Sequence, residues 1–143
     1  MGRLLAVDYG AKRCGIAETD DLQLIASPLQ TVPTAELVFF LETYIGRHAV
    51  DAIVVGDPGY WENRATDATQ GADKLAQTLG KKFPGITIER QDESFSSKMA
   101  MEAMIQGGVK KMARREKERL DKIAAAIILQ HYMERRSREG RRT

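Results

Sequence analysis

The chain has 143 residues, 43% of them hydrophobic and 29% charged, and a formal net charge of +2. That is the length of one domain with enough apolar content for a core, and a net charge too small to argue for any partner. A single cysteine excludes an internal disulfide and suits a reducing compartment.

No apolar run reaches the length of a membrane span. The short run after Met1-Gly2-Arg3 ends at Asp8 and lacks signal-peptide character, so a cytoplasmic protein with no membrane partner is expected.

Leu4-Leu5-Ala6-Val7 is a continuous apolar run closed by Asp8 and Tyr9-Gly10, the pattern of a strand buried on both faces. Gly10 frees the turn, Lys12 and Arg13 sit at its tip, and Cys14–Ala17 resumes the run as a strand folded back. Asp20-Asp21 reads as a turn and Leu22–Ala26 as a third short strand, ended by Ser27-Pro28. Thr34 is placed to cap a helix in which Leu37, Val38, Leu41 and Ile45 recur at helical spacing, with Gly46 and His48 at its close.

Ala52–Val55 predicts another buried strand, stopped by Gly56-Asp57-Pro58-Gly59. After the polar loop Tyr60–Thr66, either Thr66 or Asp67 caps a helix with Ala68, Ala72, Leu75, Ala76 and Leu79 on one side. Thr87–Gln91, less apolar, suits a strand at a sheet edge. Ser96 or Ser97 caps a helix bearing Met99, Ala100, Ala103 and Met104, which Gly107-Gly108 stops. The last helix runs from about Glu116 to Met133 or beyond.

Three strands in hairpins followed by strand–helix alternation predict an α/β fold. Its mixed sheet is antiparallel first and parallel later, with helices on its faces, in one domain over residues 1–143. Two basic blocks flank the last helix. Lys110 to Arg119 holds six basic residues in ten, and Arg135 to Arg142 holds five more. Blocks of this kind either contact nucleic acid or form a solvated helix face and a frayed end.

Three acids stand at the ends or inner sides of elements. Asp8 follows the first strand and Glu93 the fifth; Asp121 shares a helix side with Ala124, Ala125, Ile128 and Tyr132. Each has a plain alternative: Asp8 as a turn cap, Asp121 as an acid near a helix start. A carboxylate on an inner helix side is costly unless paired or metal-bound, and Lys117 and Lys122 lie off that side. Strand ends in parallel sheets gather ligands. Hard oxygens there suit Mg2+ or Mn2+, which would activate water and stabilise a departing oxygen in phosphodiester cleavage. Asp57 and Asp92 are either outer ligands or turn caps.

Other chemistries have less support. His48 and His131 stand in no zinc spacing, and His131 lies toward the apolar side of the last helix. Cys14 reads as a small buried thiol. No GxxxxGK[ST] phosphate loop is present. Tyr60 and Trp61 either stack on a base or cover the sheet end.

Five segments in order carry a family resemblance: VDYGAKRCGIAETD at Val7–Asp20, ASPL at Ala26–Leu29, VVGDP at Val54–Pro58, DESFSS at Asp92–Ser97, and LDKIAAAIILQHYM at Leu120–Met133. Together they resemble YqgF/RuvX-type proteins, a family named for pre-16S ribosomal RNA nuclease activity and formerly for Holliday-junction resolution. The resemblance implies a ribonuclease-H-like, mixed five-stranded sheet. It also implies Asp8, Glu93 and Asp121 as catalytic, metal-holding acids, and a basic mobile segment at about 107–117; the charge pattern adds a basic tail at about 134–143.

Phosphates would be held by Lys12, Arg13, Lys110, Lys111, Arg114 and Arg115, the partner being precursor ribosomal RNA or branched DNA and the protein a monomer or weak dimer. The chain departs from the family at Ser94, where an arginine is usual, and at Asp57, where an apolar residue is usual; serine at 96 in place of threonine is mild. Serine cannot supply a guanidinium fork, so Arg90 or Arg64 is a candidate substitute, and a non-catalytic RNA-binding assembly factor is the main rival. Nucleotide hydrolysis by an actin-like domain ranks last, since that chemistry needs two such domains.

Overall fold

The computed structural model of the chain describes residues 2–57, 65–92 and 114–141, with backbone only at 57, 65–69, 92, 114–117 and 138–141. Five strands form one sheet: β1 (Arg3–Asp8), β2 (Arg13–Thr19), β3 (Ala26–Pro33), β4 (Val50–Asp57) and β5 (Thr87–Asp92). Their spatial order is β3-β2-β1-β4-β5. The pairings β1–β2 and β2–β3 are antiparallel, whereas β1–β4 and β4–β5 are parallel. This is the mixed sheet expected from the strand pattern. The central strands β1 and β4 carry the continuous apolar runs because both of their faces are covered.

Alternation along β1 divides the core in two. Leu5 and Val7 point to one face, where α1 (Leu37–Arg47) contributes Leu37, Leu41 and Tyr44, and α2 (Ala65–Lys82) contributes Ala72 and Leu79. Leu4 and Ala6 point to the other face, covered by α3 (Arg114–Arg141) through Ala125, Ile128, Leu129 and Tyr132. No helix among the described residues is long and apolar enough to cross a membrane.

Three expectations need correction. The third strand is not Leu22–Ala26. Leu22, Leu24 and Ile25 are exposed in the β2–β3 connection, and β3 begins only at Ala26. The Asp20 carboxylate accepts from the amides of Leu24 at 2.8 Å and Ile25 at 2.9 Å, and Gln23 adopts a left-handed φ of 57°. Those local bonds satisfy backbone groups that a ladder would otherwise claim.

Nor does Pro28 end a strand. It lies inside β3, an edge strand, where a register shift pairs Ile16 with Gln30 and Ala17 with Pro28, so Leu29 is the extra residue. Edges and bulges are where proline is tolerated.

Thr34 makes no helix cap. A single 3-10 turn, Thr34–Glu36, precedes α1, and the Thr34 hydroxyl donates to the Gly10 carbonyl at 2.6 Å, tying that turn to the first hairpin. The last helix starts slightly earlier and ends later than its apolar pattern. The helix expected after Ser96 or Ser97, with its methionines, lies outside the described residues, as do Tyr60, Trp61 and Arg64.

Candidate active site

One row of residues crosses the whole sheet: Thr31 on β3, Gly15 on β2, Asp8 on β1, Gly56 on β4 and Gln91 on β5. Paired residues in a sheet share a face, so all five look toward α3. Two are glycines, and each lies where α3 comes closest. A Cβ on Gly15 would sit 2.0 Å from the Asp121 carbonyl oxygen, and one on Gly56 would sit 2.3 Å from Ile128 Cδ1. At the edge, the Thr31 hydroxyl donates to the carbonyl of Glu118. The glycines let the helix backbone press onto the sheet beside Asp8, bringing Asp121 alongside Asp8's own cross-strand partner.

Asp8 is the last residue of β1 and only 5% exposed. It belongs to the ladder between Gly15 and Gly56. Asp121 stands seven residues after the helix start at Arg114, beyond the first turn over which a helix dipole acts. Its neighbours on the inner side, Ala124, Ala125, Ile128 and Tyr132, are buried as the helical phase predicted. It pairs with Arg13, whose Nε donates to Asp121 Oδ2. That pair spans 108 positions and left no local trace.

The charges of Asp8 and Asp121 both reach Cys14, which is fully buried on the opposite face. Burial, first, and these two carboxylates push its thiol above the usual range, against hydrogen bonds involving Thr34 and Gly10. The thiol is therefore a poor nucleophile, in keeping with a packing role.

The other expected site residues fall as follows. Lys12 is exposed at the hairpin tip, its carbonyl accepting from the Thr34 amide at 3.0 Å. Arg114 and Arg115 open α3. Glu93, Ser94, Lys110 and Lys111 lie outside the described residues. The strand before Glu93, β5, ends at Asp92 opposite Asp57, one position beyond the Asp8 row.

Arg90 is engaged elsewhere, donating to Asp73 Oδ1 at 2.8 Å and to the Val55 carbonyl at 2.8 Å. In the tail, Arg135 pairs with Glu89 at 3.5 Å and stacks with Arg136 on the Tyr132 ring. Burial and a bond with Glu89 push that phenol up to about 12. His48 packs against Tyr44, with ring centroids 4.7 Å apart, and His131 is half-buried.

Asp8 and Asp121 offer the hard oxygen donors that Mg2+ or Mn2+ prefers, so the donor chemistry fits. Among the described residues no three His, Cys, Asp or Glu side chains cluster to hold a metal; the third expected acid, Glu93, lies outside them. The glycines were the missed part of the site. A glycine inside a strand signals close backbone approach, and Gly15 and Gly56 both carried that signal.

The family described as RuvX, Holliday junction resolvase, matches residues 2–135. The chain belongs to the RuvX family. A relative from Christiangramia forsetii is 45% identical over 93% of this chain and 98% of its own length; one from Bacteroides thetaiotaomicron is 42% identical over 94% and 97%. Both carry the name "Putative pre-16S rRNA nuclease".

Among solved structures, T. thermophilus RuvC in complex with a Holliday junction substrate superposes with a TM-score of 0.59 at 18% identity, over 96% of both chains. The shared architecture is the ribonuclease-H-like sheet that the sequence motifs implied for this RuvX-family chain.

Proposed function

We propose that the chain is a divalent-metal-dependent nuclease on structured nucleic acid, with the 5′ end of pre-16S ribosomal RNA as its substrate in ribosome biogenesis. One observation supports the reading: where Asp8 closes β1, α3 packs so closely that the Asp121 backbone meets Gly15, the cross-strand partner of Asp8. The names of relatives above 40% identity support the choice of RNA.

Asp8, Asp121 and Glu93 would hold Mg2+ or Mn2+. Such ions supply a more acidic water and charge for the departing oxygen. The residues do the rest. Asp8, fixed inside the ladder, and Asp121, fixed by helix packing, keep their oxygens in place. Lys12 and Arg13 at the hairpin, with Lys110, Lys111, Arg114 and Arg115, would draw phosphates toward that end.

A second reading, cleavage of four-way DNA junctions, is favoured by the description of the matching family. The deciding assay offers precursor 16S RNA and four-way junctions to the full chain with Mg2+, Mn2+ or chelator. RNA cleavage that stops with chelator is expected. Asp8→Asn and Asp121→Asn should each fold with wild-type circular dichroism and lose at least ~100-fold in rate, as when charge stabilisation is removed from a site. Full activity in both variants would refute the assignment. Salt-sensitive RNA binding without any cleavage would favour an assembly factor.

A further inference from the structure

Arg13 opens β2 two residues before Gly15, and so lies on the same face as the Asp8 row. Its Nε donates to Asp121 Oδ2, one of the oxygens a divalent cation would use. The pair is only partly covered, the arginine side chain 34% exposed and the aspartate 27%. Solvent and solutes can therefore reach it. A partly covered carboxylate is costly to leave uncompensated, and a guanidinium beside it offsets that cost. A guanidinium has five donors in a planar fork, so the bond from Nε leaves the geometry to grip a phosphate as well.

We infer that Arg13 is a positioning residue, a resident counter-ion of Asp121 that holds this carboxylate in place and would be released to a phosphate of the nucleic acid when a divalent cation is held by the same carboxylate. The inference rests on the metal-site reading above. Two cations compete for one carboxylate, so weakening either must strengthen the hold of the other. Arg13 then has two successive partners, and the exchange couples metal loading to substrate contact at the hairpin tip.

Mn2+ titration calorimetry on the full chain tests this. Arg13→Gln should bind Mn2+ about fivefold more tightly than wild type, the ratio a partly exposed pair is worth, and should bind RNA more weakly. Arg13→Lys should bind Mn2+ close to wild type. An unchanged or weakened Mn2+ affinity in Arg13→Gln, with wild-type binding intact, overturns the exchange while leaving the metal site standing. If wild type binds no Mn2+, the metal-site reading falls and the exchange with it.

A second measurement avoids substitution at Arg13. The Arg13 Nε–H resonance of 15N-labelled wild type, assigned by its loss of protection in Asp121→Asn, should also lose protection on saturation with Mg2+. Persistence of protection at saturating Mg2+ overturns the exchange.

Discussion

The two faces of the sheet are built on opposite plans. Toward α1 and α2 the strands present large apolar side chains, Leu5, Val7, Ile16, Ile53 and Val55, all fully buried. Toward α3 they present Leu4 and Val54 but otherwise small residues, Ala6, Ala17 and Ala52, with glycines flanking Asp8. The first face gains stability from apolar area removed from water. The second gives up some area for closeness, and closeness brings the α3 backbone at Asp121 onto Gly15, beside Asp8 in the sheet. One side is filled throughout, and the other is thinned where the helix backbone meets the sheet.

The sharpest way to break that contrast is to thicken the thin face. Gly15→Val places its first side-chain carbon on the Asp121 carbonyl, a main-chain obstruction that cannot rotate away. A loss of about 4 kcal/mol in urea unfolding is expected, above the usual overpacking cost, with cleavage abolished because Asp121 is displaced. Gly56→Ala meets the Ile128 side chain instead, a side-chain obstruction that repacking can relieve in part, and should cost about 2 kcal/mol. Equal effects at the two glycines would mean that helix approach is not what they provide.

How far this plan was legible in the amino-acid order depends on the range of each signal. β1 and β4 were visible because continuous apolar runs report strands covered on both faces. The inner side of α3 was visible because helical phase places Asp121 with Ala125 and Ile128. Asp8 stood out as the acid where an apolar run stops.

The misplaced third strand shows a limit. Leu22, Leu24 and Ile25 look like core by composition, but Asp20 turns their backbone into a local loop. The Arg13–Asp121 pair shows another. Nothing within a helical turn of Asp121 announces a partner 108 positions away. Long-range registers decide such pairs, and no local window contains them.

A smaller and purely structural effect is expected on the filled face. Leu41 of α1 is fully buried among Leu5, Ile53 and their neighbours. Leu41→Ala should cost about 3 kcal/mol in denaturant unfolding through lost transfer energy and a residual cavity. Cleavage measured well below the melting temperature should stay within about twofold of wild type. A large loss of rate in a folded Leu41→Ala protein would show that the two faces are not independent.

The smallest effect separates two ion pairs of similar chemistry. Lys82 at the end of α2 pairs with Glu42 of α1, each side chain 41% exposed. Both helices already pack on the sheet through apolar residues, and charges this open to water are screened by salt. Glu42→Gln should therefore change stability by ~0.5 kcal/mol or less, with the difference vanishing above about 1 M salt, where the Debye length is near 3 Å. Neither cleavage nor Mn2+ affinity should move, in contrast to the effect expected from breaking Arg13–Asp121. A loss of about 2 kcal/mol or more would mean that charge, not apolar contact, joins α1 to α2, and the account of the filled face would have to change.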